Sequence, residues 1–319
     1  MIRTLKFSLI LVGWLCVAAV GVAIWLHYYP SRGNVALYLT GVVPYTIVFG
    51  VLAVVVFLVL RRWVMLVAAI GVVVGLCATQ APMWVALTPS AGQRFTVVTA
   101  NLLYGRADIA QLAAEIERSN ADLVSLQEVT PEALAAIRTS SIGSRLPHSY
   151  AMPGPLAAGT ALFSRDPLTD QREVDPNTIL RNLAATTSVP GATQTRVLAV
   201  HPGAPTPGNA DVWIRDMEIL RGYLRDVPSG PVIVAGDFNA TWDQVRFRNL
   251  LENGFADAAA QAGAGFGPTY PTDKVGGWPL VAIDRVIVRG FVAVDVTTFE
   301  ISGSDHRGVR VTLVADSPG

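Results

Sequence analysis

The chain has 319 residues, 51% of them hydrophobic, and its formal net charge at pH 7 is zero. This balance excludes the overall basic excess that is typical of nucleic-acid-binding proteins. Both cysteines, Cys16 and Cys77, lie in apolar stretches, so the C-terminal part of the chain has no thiol with which to form a disulfide.

The N-terminal part of the chain is dominated by apolar residues. Three apolar stretches occupy residues 7–26, 36–60 and 63–87. Each is long enough to cross about 30 Å of hydrocarbon as a helix. We therefore predict a membrane anchor of residues 1–91 with about three transmembrane α-helices. The third helix is the least secure of them, because Gln80 and Pro82 fall near its end.

Basic residues near the ends of the three stretches predict the orientation of the anchor. Those on one side are Arg3, Lys6, Arg61 and Arg62, and those on the other are Arg32 and Arg94. The side richer in Lys and Arg faces the cytoplasm, which predicts a multi-pass protein of the cell membrane with residues 92–319 on the extracytoplasmic side. A cleaved signal peptide is the alternative for the first stretch, although its apolar core runs on to Leu26 without a small-residue cleavage site.

The apolar stretches give no indication of transport. Their interiors carry no Asp, Glu, Lys or Arg, which an ion or proton path usually needs. Gly71 and Gly75 have the spacing that lets two helices approach closely, and we interpret it as packing within the anchor. A membrane anchor is therefore favoured over the alternative, a transport or assembly component with an external sensor domain.

Residues 92–319 alternate strand-like runs with amphipathic helical runs. The spacing of apolar residues predicts helices over residues 108–118 and 211–225. Strand-like runs lie at residues 95–100, 123–126, 160–164, 184–188, 196–200, 232–235, 283–288 and 310–314. The pattern predicts a mixed α/β domain.

Polar side chains recur at the ends of these strand-like runs or within them. Asp237 and Asn239 follow one run two residues apart, so they point to the same side of an extended segment. Comparable positions are held by Asn101, Glu128, His201 and Asp284, and Asp305 and His306 precede the last run. Chemistry is the expected reason for this set rather than packing.

This ordered set resembles the endonuclease/exonuclease/phosphatase superfamily over about residues 94–314. The superfamily includes DNase I-like nucleases, abasic-site endonucleases, inositol polyphosphate 5-phosphatases and neutral sphingomyelinases. The resemblance implies a four-layer α/β sandwich, two packed mixed sheets flanked by helices, preceded here by the transmembrane α-helices. It also implies divalent-metal-dependent hydrolysis of a phosphoester at one rim of the sandwich.

By this resemblance the site residues take three roles. Asn101, Glu128 and Asp305 would hold Mg²⁺ or Mn²⁺, for which oxygen ligands are suitable. The catalytic residues would be His201, Asp237, Asn239, Asp284 and His306. His306 would accept a proton from the attacking water, and Asp284 would fix the tautomer of its ring. Substrate contacts would come from Arg181 and Tyr270.

Several of these residues also have ordinary structural interpretations. His201 could cap a strand before a Pro-rich loop, and Arg181 could be a solvated surface residue. The aromatic residues of the 265–279 loop, Tyr270 among them, could pack that loop against the domain or touch a lipid or a base. His27 and His148 carry no motif, and we interpret them as structural.

Two substrate classes stay open, a phospholipid or other lipid-linked phosphoester and a nucleic acid. The first 87 residues hold five of the 24 basic residues and none of the 24 acidic ones, so the rest of the chain carries 19 basic and 24 acidic residues. That part lacks a basic footprint for nucleic acid, and attachment to the lipid bilayer favours membrane phosphoesters. A catalytically silent binding or sensor module is a further alternative, and no protein partner is predicted.

Overall fold

The computed structural model describes residues 2–88 and 92–316. The chain divides into unit 1, which comprises Met1–Pro82 and Asp243–Val245, and unit 2, which comprises Met83–Trp242 and Arg246–Gly319. The predicted anchor boundary at residue 91 lies outside the described residues.

Unit 1 is helical. Its helices are α1 (Ile2–Tyr28), α2 (Asn34–Gly41), α3 (Ile47–Val59) and α4 (Trp63–Gln80), with 3-10 turns at Val43–Thr46 and Ala81–Met83. Two helical segments of the described chain, Arg3–Tyr28 and Trp63–Met83, are long and apolar enough to cross a membrane. Asn34–Gly41 and Val43–Val59 are bent by 67° and would make a third span only if the bent pair counts as one.

Prolines explain where these helices break. Pro44 lies at the start of the 3-10 turn between α2 and α3, and proline both lacks an N–H and disfavours helical backbone in the residue before it. Pro82 falls in the 3-10 turn after α4, which therefore ends at Gln80 rather than at the predicted residue 87. Three spans stay a prediction that depends on the bent pair.

Small residues let the long helices of unit 1 pack closely. A Cβ added at Gly13 of α1 would lie 2.6 Å from the Phe57 ring of α3. At Gly75 of α4 it would lie 3.3 Å from Ile24 of α1, whereas at Gly71 no described heavy atom lies within 4 Å. The Gly71 and Gly75 pair therefore packs within the unit through Gly75.

A buried carboxylate in unit 1 has two side-chain partners. His27 Nδ1 lies 2.7 Å from Asp243 Oδ1, and Gln80 Nε2 donates to the same oxygen at 2.8 Å. A buried carboxylate is costly without such partners. This arrangement agrees with the structural interpretation of His27.

Unit 2 contains two mixed sheets. Its described strands are β1 Arg94–Asn101, β2 Leu123–Gln127, β3 His148–Met152, β4 Thr160–Ser164, β5 Thr169–Glu173, β6 Leu183–Val189, β7 Ala192–Val200, β8 Val232–Asp237, β9 Ala256–Asp257, β10 Asp284–Arg289, β11 Phe291–Phe299 and β12 Gly308–Ala315. One sheet has the order β11-β12-β1-β2-β4-β3 and the other β5-β6-β7-β8-β10-β9. The pairs β1–β2 and β7–β8 are parallel, and the other paired strands are antiparallel.

Helices flank both sheets. They are α5 Ile109–Arg118, α6 Pro131–Thr139, α7 Ser141–Arg145, α8 Ala210–Asp226, α9 Val245–Arg248 and α10 Ala258–Ala262. α5 begins where the Asp108 side chain accepts hydrogen bonds from the N–H groups of Ala110 and Gln111, which would otherwise lack partners. α8 buries a stripe of apolar residues that includes Trp213 and Met217.

The alternation of side chains along β1 shows how the layers form. Phe95 and Val97 pack into the core between the two sheets, whereas Val98 and Ala100 pack into a second core with α5, α6 and α7. Successive residues of a strand point to opposite faces, so one strand supplies both cores. The four-layer α/β sandwich predicted from the sequence is confirmed.

A buried polar contact joins the two sheets. Ser125 Oγ donates to the main-chain oxygen of Ala235 at 2.8 Å, and Gln127 Nε2 donates to Ser125 Oγ at 2.8 Å. Both side chains are fully buried. Because a buried donor left without an acceptor is costly, this contact fixes the spacing of the sheets below their edge.

The Ser125→Ala variant is therefore expected to lower the free energy of unfolding by about 1–3 kcal/mol. The change leaves the Gln127 amide without its acceptor. Denaturant unfolding of the detergent-solubilised chain, followed by near-UV circular dichroism, measures the loss. Ser144→Ala, at an exposed position of α7, is the matched control and should change little. Equal stability of the two variants would contradict the prediction.

Candidate active site

The predicted site residues lie where strands of both sheets end. β1 and β2 end together at Asn101 and Gln127, which are register partners. β8 ends at Asp237, opposite Asp284 at the start of β10. Asn101 Nδ2 donates to Asp237 Oδ2 at 3.2 Å and to Glu128 Oε1 at 3.1 Å, so the two sheet edges meet.

Glu128 is held at this edge by a strained loop. Besides the Asn101 contact, its Oε2 accepts the main-chain N–H of Tyr104 at 2.7 Å. Glu128, Leu103 and Tyr104 have φ values of 59°, 43° and 54°. Left-handed backbone costs a non-glycine residue about 1–3 kcal/mol and tends to cluster at functional sites. The loop thus adopts an unfavourable backbone conformation that orients the Glu128 carboxylate.

His306 lies among carboxylates. Its Nδ1 is 2.8 Å from Asp284 Oδ2, and because an ionised carboxylate only accepts, Nδ1 donates. Its Nε2 lies 3.8 Å from both Asp237 Oδ2 and Asp305 Oδ1. The Tyr270 ring is 4.7 Å away between centroids. The imidazole is therefore fixed by one hydrogen bond and covered by one aromatic ring.

His201 approaches Asp237 from the second sheet. Its Nε2 is 3.6 Å from Asp237 Oδ2, and its main-chain N–H donates to Asn182 Oδ1 at 2.7 Å. Asn239 donates its main-chain N–H to Asp237 Oδ1 at 2.8 Å and its Nδ2 to the Pro202 oxygen at 3.0 Å. Asp237 is thus the residue on which both histidines and both asparagines of the site converge.

Burial and charge shift the pKa values in this cluster in different directions. Burial, followed by the charge of Asp284, raises the pKa of Asp237 to about 6. Burial alone would lower the pKa of His306, but the charges of Asp284 and Asp237 outweigh it and raise the pKa to about 10. Burial lowers the pKa of His201 and raises the pKa of Glu128. An imidazolium surrounded by carboxylates results at neutral pH.

Residues 98–306, a range that contains every predicted site residue, match the Endonuclease/Exonuclease/phosphatase family. The chain belongs to this family. Its members are metal-dependent phosphoester hydrolases, which identifies the chain as a phosphoesterase- or nuclease-like hydrolase. No curated protein matches the chain.

Solved structures share the fold at low sequence identity. Humanized D. rerio TDP2 with 14 mutations is 18% identical, with 69% of this chain and 98% of that chain covered and a TM-score of 0.58. The endonuclease/exonuclease/phosphatase from Beutenbergia cavernae DSM 12333 is 22% identical, covering 70% and 72%, with a TM-score of 0.57. The 3'-5' exonuclease NExo from Neisseria meningitidis is 19% identical, covering 70% and 100%, with a TM-score of 0.55. These similarities establish the fold.

The donor set of this endonuclease/exonuclease/phosphatase family member suits a divalent cation. The Glu128 carboxylate accepts a hydrogen bond from Asn101 Nδ2, and the charge of Asp305 acts on Glu128. Asp284 Oδ1 is buried and has no hydrogen-bond partner among the described residues. Hard oxygen donors in an acid-rich site are the ligands that Mg²⁺ prefers. The residues present therefore fit such an ion.

A second group of side chains is a poorer metal site. Asp237, Asp284 and His306 each offer an atom within 4.8 Å of the others. A histidine must offer a deprotonated nitrogen to bind a metal. Nδ1 of His306 is occupied by Asp284, and the surrounding carboxylates favour the imidazolium. We interpret this group as a hydrogen-bonded cluster rather than a metal site.

Two polar residues that were not predicted from the sequence, Thr269 and Ser304, position this cluster. Thr269 Oγ1 accepts the main-chain N–H of Asp284 at 3.3 Å. Ser304 Oγ accepts the main-chain N–H of His306 at 3.0 Å and donates to the Asn101 oxygen at 2.8 Å. Ser304 lies directly before Asp305 in the sequence, which was a usable signal. Thr269 is distant in sequence from Asp284, and no sequence pattern indicated its role.

The two predicted substrate contacts lie in different surroundings. Tyr270 packs against His306, and burial together with the charge of Asp305 raises its pKa. Arg181 pairs with Glu173, with Nη1 3.2 Å from Oε1, and its side chain is 41% exposed. The phosphate-binding role of Arg181 stays a prediction. Asn182, the next residue, contacts the main chain of His201 instead.

The Asn182→Ala variant is expected to lower kcat about tenfold, the equivalent of losing one positioning hydrogen bond. The change removes the acceptor that holds the main chain of His201. Hydrolysis of a soluble phosphodiester such as bis(p-nitrophenyl) phosphate measures kcat and KM separately. Asn177→Ala, at an exposed position of the same loop, is the control. Equal kcat in the two variants would contradict the role of Asn182.

Proposed function

We propose that the chain is a membrane-anchored, extracytoplasmic phosphoesterase that depends on Mg²⁺ or Mn²⁺ and hydrolyses a phosphodiester or phosphomonoester with water. The observation that supports it most is the buried cluster at the meeting sheet edges, with His306 between Asp284 and Asp237. The apolar helices and the distribution of basic residues support the anchor and the side of the membrane.

The metal would lie at the Glu128 end of the cluster. Glu128, Asn101 and Asp305 would hold it. When bound, the ion would polarise a phosphoryl oxygen and neutralise developing charge. The strained loop that aims Glu128 would then contribute to the affinity for the metal rather than to folding.

His306 would contribute a charged hydrogen-bond donor. Its ring nitrogens lie within 3.8 Å of oxygens of Asp284, Asp237 and Asp305. This arrangement favours the imidazolium, so Nε2 would donate to a phosphoryl oxygen, where a charged donor is strongest in the transition state. By the resemblance stated from the sequence, His306 would accept the proton of the attacking water. The geometry favours Asp237 for that task.

Asp237 would take the proton from the water. It lies at the centre of the cluster, and its Oδ1 is oriented by the main-chain N–H of Asn239. A side-chain amide has two N–H groups, so Asn239 can donate one to Pro202 and the other to the phosphate. His201, which burial keeps neutral, would donate to a further phosphate oxygen or to the leaving group.

A lipid-linked substrate is the preferred class. The chain after residue 87 carries 19 basic and 24 acidic residues, whereas a nucleic-acid surface is usually basic. A tethered unit also meets membrane phosphoesters at high effective concentration. The second candidate is a membrane-tethered nuclease. D. rerio TDP2 in complex with a single-strand DNA product and the Neisseria meningitidis exonuclease, both of this fold, favour it.

Hydrolysis by the full chain in lipid nanodiscs tests the proposal. Phospholipid, single-stranded DNA, RNA and a soluble phosphodiester are offered in parallel, with Mg²⁺, with Mn²⁺ and with EDTA. We expect metal-dependent release of product from the lipid substrate and from the soluble phosphodiester. Cleavage of nucleic acid alone would favour the tethered nuclease. Absence of turnover with every substrate would favour the silent binding module.

Protease digestion of spheroplasts tests the predicted side of the membrane. Unit 2 should be digested in intact spheroplasts, because the positive-inside rule predicts that it lies outside the cytoplasm. A cytoplasmic marker protein must stay intact in the same sample. Full protection of unit 2 until the membrane is dissolved would overturn the topology.

A further inference from the structure

The large apolar side chains that residues 92–316 expose lie at one end of the sandwich. Among the described side chains of residues 92–316, those exposed are Tyr104, Leu156, Ile179, Trp278 and Leu280. All of them lie on the loops that leave or enter the strand ends that carry the active site. Leu156, Ile179 and Trp278 are 69%, 53% and 74% exposed.

The opposite ends of the same strands have a different surface. The exposed residues of the loops there include Asn120, Arg165, Asp166 and Ser229. Scattered exposed apolar residues are normal in soluble proteins, but their concentration at one place marks an interaction surface. The concentration of exposed apolar side chains at the active-site end therefore indicates that a partner binds there.

These apolar side chains are tied to the site itself. The main-chain N–H of Tyr104 donates to Glu128, and that of Leu280 donates to the Tyr270 oxygen at 2.8 Å. Leu156 has a φ of 52°, a conformation that costs a bulky residue about 1–3 kcal/mol. An exposed leucine side chain at a strained backbone position does not stabilise the isolated fold. Whatever these residues contact lies at the mouth of the active site.

The segment through which the chain enters unit 2 leads to the same loops. The main-chain N–H of Gly265 donates to the Met83 oxygen at 2.8 Å, and the ring centroids of Trp84 and Phe266 are 5.4 Å apart. The loop then continues to Tyr270 beside His306. Trp84, Val85 and Leu87 are themselves exposed. The exposed Trp84 therefore adjoins the loop that continues to the active site.

We propose that Tyr104, Leu156, Ile179, Trp278 and Leu280 form a rim that rests on the surface of a lipid bilayer, from which the active site takes an amphiphilic phosphoester. The proposal rests on the proposed function for the reaction, but the contact with lipid is a separate claim. Trp and Tyr suit the headgroup region, and Leu and Ile suit the acyl boundary beneath it. The phosphoester would enter the site from its headgroup side.

Two basic side chains lie beside aromatic rings at this end, and the acidic Asp273 and Asp305 also act on Tyr270. The Arg106 guanidinium lies 5.8 Å from the Tyr104 ring centroid, and Lys274 Nζ lies 6.0 Å from the Tyr270 ring centroid. A basic side chain next to apolar side chains matches lipid phosphates above acyl chains. Aliphatic Leu156 and Ile179 offer no face on which a base could stack, which favours lipid over nucleic acid.

Photocrosslinking tests the contact without requiring turnover. The full chain carries p-benzoylphenylalanine in place of Trp278, of Leu156 or, as the control at the opposite end of the sandwich, of Ser229. Each variant is irradiated in nanodiscs of phosphatidylcholine and phosphatidylglycerol, and lipid adducts are measured by mass spectrometry. We expect adducts at positions 278 and 156 and none at 229. No adduct at 278 and 156, or equal labelling at all three, would overturn the rim.

Kinetics of the Trp278→Ser, Leu156→Ser double variant tests the consequence for substrate. Against a phosphoester embedded in the nanodisc, kcat/KM should fall about tenfold, because two apolar side chains no longer enter the bilayer surface. Against soluble bis(p-nitrophenyl) phosphate it should be unchanged. Unchanged kcat/KM for the embedded substrate would contradict the proposed rim. An equal loss of kcat/KM on both substrates, or a loss seen only with single-stranded DNA, would contradict it as well. If the wild-type chain hydrolyses nothing, the proposed function fails, and the adducts alone decide whether the rim contacts lipid.

Discussion

The His306→Ala variant is expected to lose about 10²- to 10⁴-fold in kcat, the range that a positioned proton donor or acceptor supplies. The imidazole is fixed by its hydrogen bond to Asp284, and its other nitrogen faces Asp237 and Asp305. Alanine removes a group whose charge acts on both Asp237 and Asp305. The loss should therefore lie in kcat, measured with bis(p-nitrophenyl) phosphate at saturating Mg²⁺, more than in KM.

The matched control is His148→Ala, because His148 lies at the start of β3, at the opposite end of the sandwich from the site. Its kcat should equal that of the wild-type chain. Thermal unfolding in the presence of Mg²⁺ must show that the His306→Ala chain is folded before its kcat is interpreted. A folded His306→Ala chain with wild-type kcat would remove His306 from the reaction.

The parts of the fold that the sequence predicted are those with a strong local pattern. Strands such as β4 and β8 have a neighbouring strand on each side and are fully buried, so their sequences are short apolar runs. Because site residues follow such strands directly, as Asp237 follows the β8 run and Glu128 follows β2, their convergence could be predicted as well. Their contacts across the two sheets could not.

Edge strands were not predicted, because their sequences are not short apolar runs. β5, with the sequence TDQRE, exposes four of its five residues, and β11 contains a register shift between Ala293 and Asp295. An edge strand has one neighbour and need not alternate apolar with polar residues. The same limit applies to Asn182, whose contact with His201 joins two loops that are separate in the sequence.

The Glu128→Gln variant is expected to weaken metal binding at least about tenfold and to lower kcat at a fixed Mg²⁺ concentration. Glutamine keeps the length of the side chain and one acceptor for the main-chain N–H of Tyr104, but it removes the charge that attracts the cation. Glu128 is buried and its pKa is raised, so removing its charge relieves a desolvation cost that offsets the loss of the Asn101 hydrogen bond in the metal-free fold. The effect on folding should appear only when metal is added.

Thermal unfolding gives a readout that is independent of activity. A ligand that binds the native state at about 100 times its Kd stabilises it by about 2.7 kcal/mol, so Mg²⁺ should raise the Tm of the wild-type chain. The rise should be smaller for Glu128→Gln at the same Mg²⁺ concentration and should recover as Mg²⁺ increases. Glu132→Gln, an exposed acid in the first turn of α6, is the control and should behave as wild type. If Mg²⁺ raises the Tm of Glu128→Gln as much as that of the control, the cation does not bind at Glu128. The alternative group of Asp237, Asp284 and His306 would then become the candidate metal site.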